Sequence, residues 1–208
     1  MSDEVRDFWD WRYGEREQSW SGRPNAALVD MVEDMPPGRA LDLGAGEGGD
    51  AIWLARQGWQ VTAVDISEVA IDRARRAAAE AGIADGRVDW VTADLADWEP
   101  DGPVDLISAC FFQSPVELPR DEVLRRLSDN IAPGGHLLVV SHASPPPWAR
   151  DHEGHGPALR GAEEEVTALD LPSQTWEVTV AEDRPRRVTG PEGQDATIDD
   201  AVVLLGRR

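Results

Sequence analysis

The sequence contains no lysine, and all 20 of its basic residues are arginine. The absence of lysine excludes mechanisms that need a lysine Schiff base or the lysine of a phosphate-binding P-loop. A single cysteine, Cys110, cannot form a disulfide within the chain, which predicts a reducing compartment. The chain has no run of about eighteen apolar residues and no apolar signal near Met1. We therefore expect a cytoplasmic protein without a membrane span.

Positive charge is scarce as well. The 208 residues include 40 acidic and 20 basic side chains, which gives a formal net charge of −20 at pH 7. Such a charge repels phosphate backbones and anionic membranes, so neither nucleic acid nor a membrane is an expected partner. The length is typical of one domain, and 41% hydrophobic residues are typical of a globular chain. We expect a monomer or a homodimer.

Strand-like and helix-like patterns alternate along most of the chain. The alternation predicts an α/β fold, a doubly wound and mainly parallel Rossmann-like sheet with helices on both faces. The predicted strands are 39–43, 60–64, 87–91, 104–109 and 136–141, and the predicted helices are 50–57, 68–81 and 120–130. Two more strands, at 175–180 and 200–205 with a polar turn region at 184–196, predict an antiparallel hairpin at one edge of the sheet.

We predict a single domain, residues 1–208, with four parts. These are an N-terminal helical cap (1–35), a cofactor-binding core (36–142), a loop or lid (143–174) and the C-terminal hairpin (175–208). The third part is rich in Pro, Gly, His and Glu and shows no clean period. A connection of that length in a compact domain is often a lid or a binding loop. We expect it to shape the substrate pocket together with the N-terminal cap.

Residues 40–49 (ALDLGAGEGG) predict a buried strand that runs into a glycine turn and then a helix. Residues 44–49 match the G-x-G-x-x-G pattern of nucleotide folds, and Asp65 ends the next strand about twenty residues later, where such folds hold a ribose. The combination indicates a cofactor that contains a nucleoside. The glycines alone leave open which cofactor this is.

The acidic residues of this segment distinguish between two cofactors that contain a nucleoside, a dinucleotide and S-adenosylmethionine. Asp42 and Glu47 would lie beside the pyrophosphate of a dinucleotide, where like-charge repulsion would cost several kcal/mol at low effective dielectric. S-adenosylmethionine has no phosphate but carries a cationic sulfonium and an α-ammonium group. The electrostatics therefore favour S-adenosylmethionine, and the main alternative is an NAD(P)-dependent oxidoreductase that uses the same loop.

Three motifs carry a resemblance to a known family: residues 41–48 (LDLGAGEG), 64–67 (VDIS) and 92–95 (TADL). In this order and spacing they resemble class I S-adenosylmethionine-dependent methyltransferases, over roughly residues 38–142. The resemblance implies that the backbone at Gly44, Ala45 and Gly46 approaches the methionine part of the cofactor beside Asp42. It also implies that Asp65 accepts the ribose hydroxyls, that Asp94 receives the adenine amino group, and that Ile66 and Leu95 pack on the adenine ring.

The N-terminal segment concentrates aromatic residues, including Trp9, Trp11, Trp20 and the only tyrosine, Tyr13. It resembles the leader helix of small methyltransferases related to the tellurite-resistance and thiopurine types, which covers the cofactor. The resemblance makes Tyr13 and Trp20 candidates for cation–π contact with the sulfonium, and Arg23 a candidate partner for the cofactor carboxylate. The alternative is ordinary packing of an amphipathic helix on the sheet.

The loop that begins at Cys110 follows the fourth strand and should border the transferring methyl group. Cys110 is either a nucleophile or a small buried thiol, and the second interpretation is favoured. The loop lacks the Asn-Pro-Pro-Tyr type of motif found in base-amino methyltransferases. His142, His152 and His155 are candidate general bases, of which the last two have metal-like spacing, although we expect no metal site.

The predicted function is S_N2 methyl transfer from S-adenosylmethionine to a small molecule that is neutral or cationic, with S-adenosylhomocysteine as product. Because methyl transfer to a good nucleophile needs mainly in-line placement, no catalytic residue is required. His142 and Tyr13 are weak catalytic candidates. A domain that binds the cofactor without catalysis is a further alternative, and the identity of the acceptor stays open.

Overall fold

The computed structural model describes residues 3–15, 21–149 and 159–208, and its centre is a seven-stranded sheet. The strands are β1 (Arg39–Leu43), β2 (Gln60–Asp65), β3 (Val88–Thr92), β4 (Val104–Cys110), β5 (Ile131–His142), β6 (Trp176–Thr189) and β7 (Asp195–Arg207). The helices are α1 (Asp3–Gly14), α2 (Ala26–Val32), α3 (Gly49–Arg56), α4 (Glu68–Glu80), α5 (Arg120–Ser128) and α6 (Ala162–Leu169), with a 3₁₀ turn at Pro147–Ala149. None of these described helices is both long and apolar enough to cross a membrane.

The strand order is β3-β2-β1-β4-β5-β7-β6. β1 to β5 are parallel, whereas β7 pairs antiparallel with both β5 and β6. This arrangement confirms the predicted doubly wound sheet and its antiparallel hairpin at one edge. The strand order reverses between β1 and β4, and at such a switch point the carboxyl ends of the strands leave a crevice.

Apolar side chains cover both faces of the sheet. Consecutive strand residues point to opposite faces, so Leu41 and Ala40 of β1 belong to different clusters of the core, as do Ile107 and Leu106 of β4. One cluster packs against α5 and α6 and the other against α2 and α3. Burial on both faces explains why β1 and β4 form nearly continuous apolar runs in the sequence.

The N-terminal helix α1 is attached to the start of α4. The Ser67 hydroxyl accepts a hydrogen bond from the backbone N–H of Ala70, which caps α4, and donates to the Asp10 carboxylate of α1 at 2.5 Å. The capping residue thus also forms a half-buried hydrogen bond between two helices that are distant in sequence. It places α1 beside the end of β2, where Asp65 lies.

Two sequence predictions for the second half of the chain are wrong in part. Within the predicted loop at 143–174, residues 162–169 form α6, whose apolar Ala162, Val166 and Leu169 have helical spacing. The predicted turn region at 184–196 is mostly strand, because β6 continues to Thr189 and β7 begins at Asp195. The polar residues that suggested a turn lie on a half-exposed edge strand, which needs only one apolar face.

Candidate functional site

A cleft of about 1340 Å³ opens at the switch point between β1 and β4. Its wall comes from the ends of the parallel strands, from α1 and the segment before α2, and from the hairpin strands β6 and β7. The volume exceeds the roughly 300–1,000 Å³ of ordinary ligand pockets, so the cleft has room for a cofactor and a second molecule.

The glycine loop after β1 forms one side of the cleft. Gly44, Gly46 and Gly48 adopt φ values of +65°, +53° and +82°, which favour glycine. A Cβ on Gly44 would come within 2.8 Å of the Phe112 ring, and a Cβ on Gly49 would come within 2.8 Å of the Arg23 carbonyl oxygen. The glycines therefore allow both the turn itself and the close packing of neighbouring segments against it.

Asp65 closes this loop from the end of β2. One carboxylate oxygen accepts the Gly46 N–H at 2.8 Å and the other accepts the Ser67 N–H at 2.9 Å. Burial raises the pKa of Asp65 despite these hydrogen bonds, and Asp10 of α1 raises it further. Ile66 also donates a backbone hydrogen bond to this carboxylate, whose two oxygens offer about four acceptor positions, so the carboxylate can still accept from a diol in the cleft.

A second group of acidic residues lies deeper in the cleft, where Asp42 of β1 faces Asp50 of α3. Asp42 is only 2% exposed; one oxygen accepts the Ser108 hydroxyl at 2.8 Å, and the other has no hydrogen-bond partner among the described residues. Burial raises the pKa of Asp42 well above its usual range, and Asp50 and Asp65 add to this effect. Burial also raises the pKa of Asp50, which accepts the Asn25 N–H at 2.6 Å.

Cys110 at the end of β4 belongs to the same group. Its thiol donates a hydrogen bond to Asp50, and burial together with Asp50 and Asp42 raises the pKa of the thiol well above its usual range. A thiol in this setting stays protonated and is a poor nucleophile. The geometry therefore favours the interpretation of Cys110 as a small thiol in the cleft wall.

Glu47 is placed differently from the other acidic residues of the loop. Its side chain is 8% exposed, and one carboxylate oxygen lies 2.9 Å from the Arg73 guanidinium of α4. The ion pair neutralises Glu47, so the electrostatic argument made from the sequence loses one of its two carboxylates. Asp50, which the sequence argument did not use, takes its place beside Asp42.

The remaining residues predicted for the nucleoside lie along the β2 and β3 side of the cleft. Ile66, Asp94 and Leu95 all contribute to its wall. Asp94 accepts the Ala96 N–H at 2.9 Å, which orients its carboxylate, and Leu95 is 5% exposed within the core. The structure thus brings these three residues to the same side of the cleft as Asp65.

α1 and residues 21–27 line the cleft on its N-terminal side. Tyr13 is 5% exposed and lies on the cleft wall with Trp9, whose ring centroid is 6.0 Å away. Arg23 is exposed and borders the cleft. Trp20, the other aromatic candidate, lies outside the described residues, as do His152 and His155.

The far end of the cleft is built from β4, β5 and the hairpin. His142 ends β5, and its imidazole stacks on the Phe111 ring with centroids 4.3 Å apart. Asp200 of β7 lies 3.0 Å from Nδ1 of His142 and forms an ion pair with Arg186 of β6. Burial by itself raises the pKa of Asp200, but hydrogen bonds from His142 and Arg186 outweigh it and the pKa is lowered.

Sequence reasoning missed Asp50, Arg186 and Asp200. Asp50 looks like an ordinary acid in the first turn of a helix, and only the Asn25 N–H and the Cys110 thiol in the fold give it another role. Arg186 and Asp200 come together through the pairing of β6 with β7 and of β7 with β5. That register is not visible in the sequence, although the alternation of 175–180 pointed to a hairpin.

The cleft fits S-adenosylmethionine better than a pyrophosphate. The unpartnered Asp42 oxygen and the raised pKa values of Asp42, Asp50 and Asp65 mark a site with an excess of poorly compensated negative charge. A cationic ligand would relieve this excess, and a diphosphate would add to it. Fold and site together define a Rossmann-like protein with a cleft for a cationic nucleoside cofactor.

Comparison with known proteins agrees with this class. Residues 40–135 match a family model described as a methyltransferase domain. A 2-heptyl-1-hydroxyquinolin-4(1H)-one methyltransferase of Mycobacteroides abscessus is 32% identical over 152 residues, which are 68% of this chain and 64% of the relative. A tRNA 5-carboxymethoxyuridine methyltransferase of Escherichia coli is 39% identical over 106 residues, 49% of this chain and 39% of the relative. The chain thus spans less than two thirds of these relatives.

The solved structure of TehB from Haemophilus influenzae superposes with a TM-score of 0.70 at 17% identity, over 98% of this chain and 67% of that one, and supports the fold. Residues 40–135 thus form a methyltransferase domain of the class I S-adenosylmethionine-dependent type, whose cofactor is S-adenosylmethionine. Among the relatives, one is named for a small molecule and one for a tRNA, so family membership leaves the acceptor open.

Proposed function

We propose that this protein transfers a methyl group from S-adenosylmethionine to a small molecule, neutral or cationic, that binds at the far end of the cleft. The observation that carries the proposal is the group of buried, poorly compensated carboxylates at the glycine loop, above all Asp42. When bound, the cofactor supplies a methyl group made electrophilic by a cationic sulfur.

The roles of the cofactor-binding residues follow from their chemistry. Asp65 accepts hydrogen bonds from the ribose hydroxyls with the lone pairs that Gly46 and Ser67 leave available. Asp42 and Asp50 attract the α-ammonium group. Asp94 accepts from the adenine amino group, between the apolar side chains of Ile66 and Leu95.

The segment from α1 to α2 is proposed to complete the cofactor site. Tyr13 and Trp20 supply aromatic faces for the cation, and Arg23 supplies a positive charge for the cofactor carboxylate. The Asn25 N–H that donates to Asp50 ties this segment to the carboxylates at 2.6 Å. Closure of the cleft by the same segment excludes water from the reacting groups.

A small acceptor is favoured over an RNA for two reasons. The chain has a net charge of −20, which opposes binding of a polyanion. The cleft is lined by the apolar side chains of Phe111, Phe112 and Leu118, which suit a compact ligand. Asp30 and Glu117 also line the cleft and would repel an anionic acceptor.

Calorimetry tests the cofactor assignment. We expect S-adenosylhomocysteine to bind and NAD⁺ not to bind, and we expect Asp42→Asn to weaken the interaction at least tenfold because it removes a charge-assisted contact. Asp89→Asn, an exposed strand residue on β3, is the matched control and should leave affinity unchanged. Binding of NAD⁺ in place of S-adenosylhomocysteine would contradict the proposal.

Transfer of a radioactive methyl group tests the acceptor. A panel of neutral and cationic small molecules is compared with bulk tRNA under the same conditions. We expect label in one or more small molecules and none in the tRNA. Label in the tRNA alone would refute the small-molecule part of the proposal, and tight cofactor binding without transfer to any acceptor would favour a non-catalytic domain.

A further inference from the structure

The far end of the cleft holds an imidazole in one defined orientation. His142 and Asp200 are direct cross-strand partners in the antiparallel pairing of β5 with β7. The pairing places both side chains on one face of the sheet, with Nδ1 of His142 3.0 Å from Oδ1 of Asp200. Stacking on Phe111 fixes the plane of the ring. The backbone N–H of His142 donates a hydrogen bond to the Gln113 side-chain oxygen at 2.9 Å.

The contact with Asp200 determines which ring nitrogen carries the proton. A carboxylate oxygen and an unprotonated nitrogen are both acceptors, so a 3.0 Å contact between them requires a proton on Nδ1. The Arg186 guanidinium donates to both oxygens of Asp200 and so holds this carboxylate, and its Nη2 lies 3.4 Å from Nδ1, farther than Asp200 does. The neutral imidazole then has its lone pair on Nε2.

Nε2 is available to a ligand. No described residue forms a hydrogen bond with it, and the side chain of His142 is 40% exposed on the wall of the cleft. Asp200, in contrast, is 8% exposed and already occupied by Arg186 and His142. The group that can contact the acceptor is therefore the His142 imidazole, whereas the Asp200 carboxylate contacts the imidazole and Arg186.

We propose that His142 is a general base that accepts, through Nε2, the proton of a hydroxyl acceptor, and that Asp200 and Arg186 are positioning residues for it. This inference rests on the proposed methyltransferase function. The O–H bond breaks, the proton moves to Nε2, the oxygen forms a bond to the methyl carbon, and the electron pair of the carbon–sulfur bond leaves with sulfur. The imidazolium, paired with Asp200, later returns the proton to solvent.

A hydroxyl is the acceptor that benefits most from such a base. Phenolic hydroxyls have pKa values of about 10, whereas thiols ionise at about 8.5 and are already nucleophilic near neutral pH. An amine with a free lone pair needs no proton removed before attack. Phe111, which stacks on His142 and lines the cleft, favours a hydroxyl carried by a flat, apolar ring.

Nitrogen NMR on the free protein tests the tautomer directly. We expect neutral His142, assigned by its loss in His142→Gln, to carry its proton on Nδ1, and we expect this preference to be lost in Asp200→Ala. A protonated Nε2 in the wild-type protein, or an unchanged tautomer in Asp200→Ala, would overturn the inference. This measurement does not depend on cofactor or acceptor.

A matched pair of probes, 2-naphthol and 2-naphthalenethiol, tests the role in catalysis. We expect His142→Gln to lower kcat with the naphthol about 100-fold, the usual contribution of a general base, and kcat with the thiol less than fivefold. KM should change little with either probe. His136→Gln, the same substitution in the middle of β5, should leave both rates within twofold.

The possible outcomes separate the inference from the function on which it rests. Equal loss with both probes would show that His142 is structural and would overturn the inference, while methyl transfer itself would stand. If the wild-type protein binds S-adenosylhomocysteine but methylates neither probe, the result counts against the proposed function, and the tautomer experiment alone decides on His142.

Discussion

The buried carboxylates at the two ends of the cleft have pKa values shifted in opposite directions. At the glycine loop, Asp42, Asp50 and Asp65 have raised pKa values because burial is only partly offset by hydrogen bonds. At the far end, Asp200 has a lowered pKa because His142 and Arg186 outweigh its burial. Poorly compensated carboxylates are suited to receive a cationic ligand, whereas a compensated carboxylate is suited to hold a neighbouring side chain in place.

The largest expected effect concerns cofactor affinity. Asp42→Asn and Asp65→Ala should each weaken S-adenosylmethionine binding roughly 10- to 100-fold, because each removes a contact that involves a charged group. Asp200→Asn, which lies at the compensated end, should change affinity less than threefold. Isothermal titration calorimetry measures the affinity of all three variants. An equal loss of affinity in Asp200→Asn would show that the two ends of the cleft do not differ in their contribution to cofactor binding.

The same type of substitution should change stability in opposite directions at the two ends. Asp42→Asn should raise the free energy of unfolding of the ligand-free protein at pH 7 by roughly 1 kcal/mol, because it removes a buried and poorly compensated charge. Asp200→Asn should lower it by about 1 kcal/mol or less, since Arg186 is 42% exposed and solvent screens the pair. Urea unfolding gives both values, and a loss of stability in Asp42→Asn would contradict the assignment.

The pH dependence of stability should follow the same division. The raised pKa values of Asp42, Asp50 and Asp65 stabilise the fold fully below the unfolded value of about 3.9, and this contribution is lost as pH rises through the raised values. The lowered pKa of Asp200 has the opposite sign, because its contribution is present above about 3.9 and is lost as pH falls.

Urea unfolding at a series of pH values between about 4 and 8 checks this division. Compared with the double variant Asp42→Asn/Asp50→Asn, the ligand-free wild-type protein should lose stability as pH rises. The variant serves as the reference because all the other charged groups, which give most of the net charge of −20, are the same in both proteins. Parallel curves would show that these two carboxylates carry no such linkage.

The smallest expected effect on cofactor affinity tests whether Glu47 belongs with Asp42, Asp50 and Asp65, the carboxylates proposed to face the cofactor. Glu47 belongs to the glycine loop by sequence but forms an ion pair with Arg73 at 2.9 Å. Glu47→Gln should therefore weaken cofactor binding less than about threefold, well below the effect of Asp42→Asn. A tenfold loss in the calorimeter would place Glu47 with the cofactor-facing carboxylates after all.

The core of the fold was predictable because its strands are buried on both faces. β1 and β4 are nearly continuous apolar runs, which indicate buried strands, and the glycines with Asp65 mark the cofactor end by local chemistry. The ends of the hairpin strands were harder to predict, because the alternating polar residues of β6 are typical of both turns and edge strands. The short helix α6 has only about two turns of apolar spacing, which a Pro- and Gly-rich neighbourhood conceals.

The candidate site also has a part that local sequence motifs predict and a part that depends on strand pairing. Asp42, Asp65, Asp94 and Leu95 come from short motifs, so their positions relative to one another follow from the family pattern. The contact of His142 with Asp200 joins residues 58 positions apart and depends on strand register. Register is set by packing across the whole sheet, so the partners of His142 could not be found from local pattern.

β7 lies between β5 and β6, so the hairpin continues the sheet beyond the parallel strands. The match to the methyltransferase family model covers residues 40–135, which supply the glycine loop, Asp65 and Asp94 but neither Asp200 nor Arg186. The hairpin that carries these two residues lies outside that match, so a substitution in it can change the far end of the cleft while the glycine loop, Asp65 and Asp94 stay as they are.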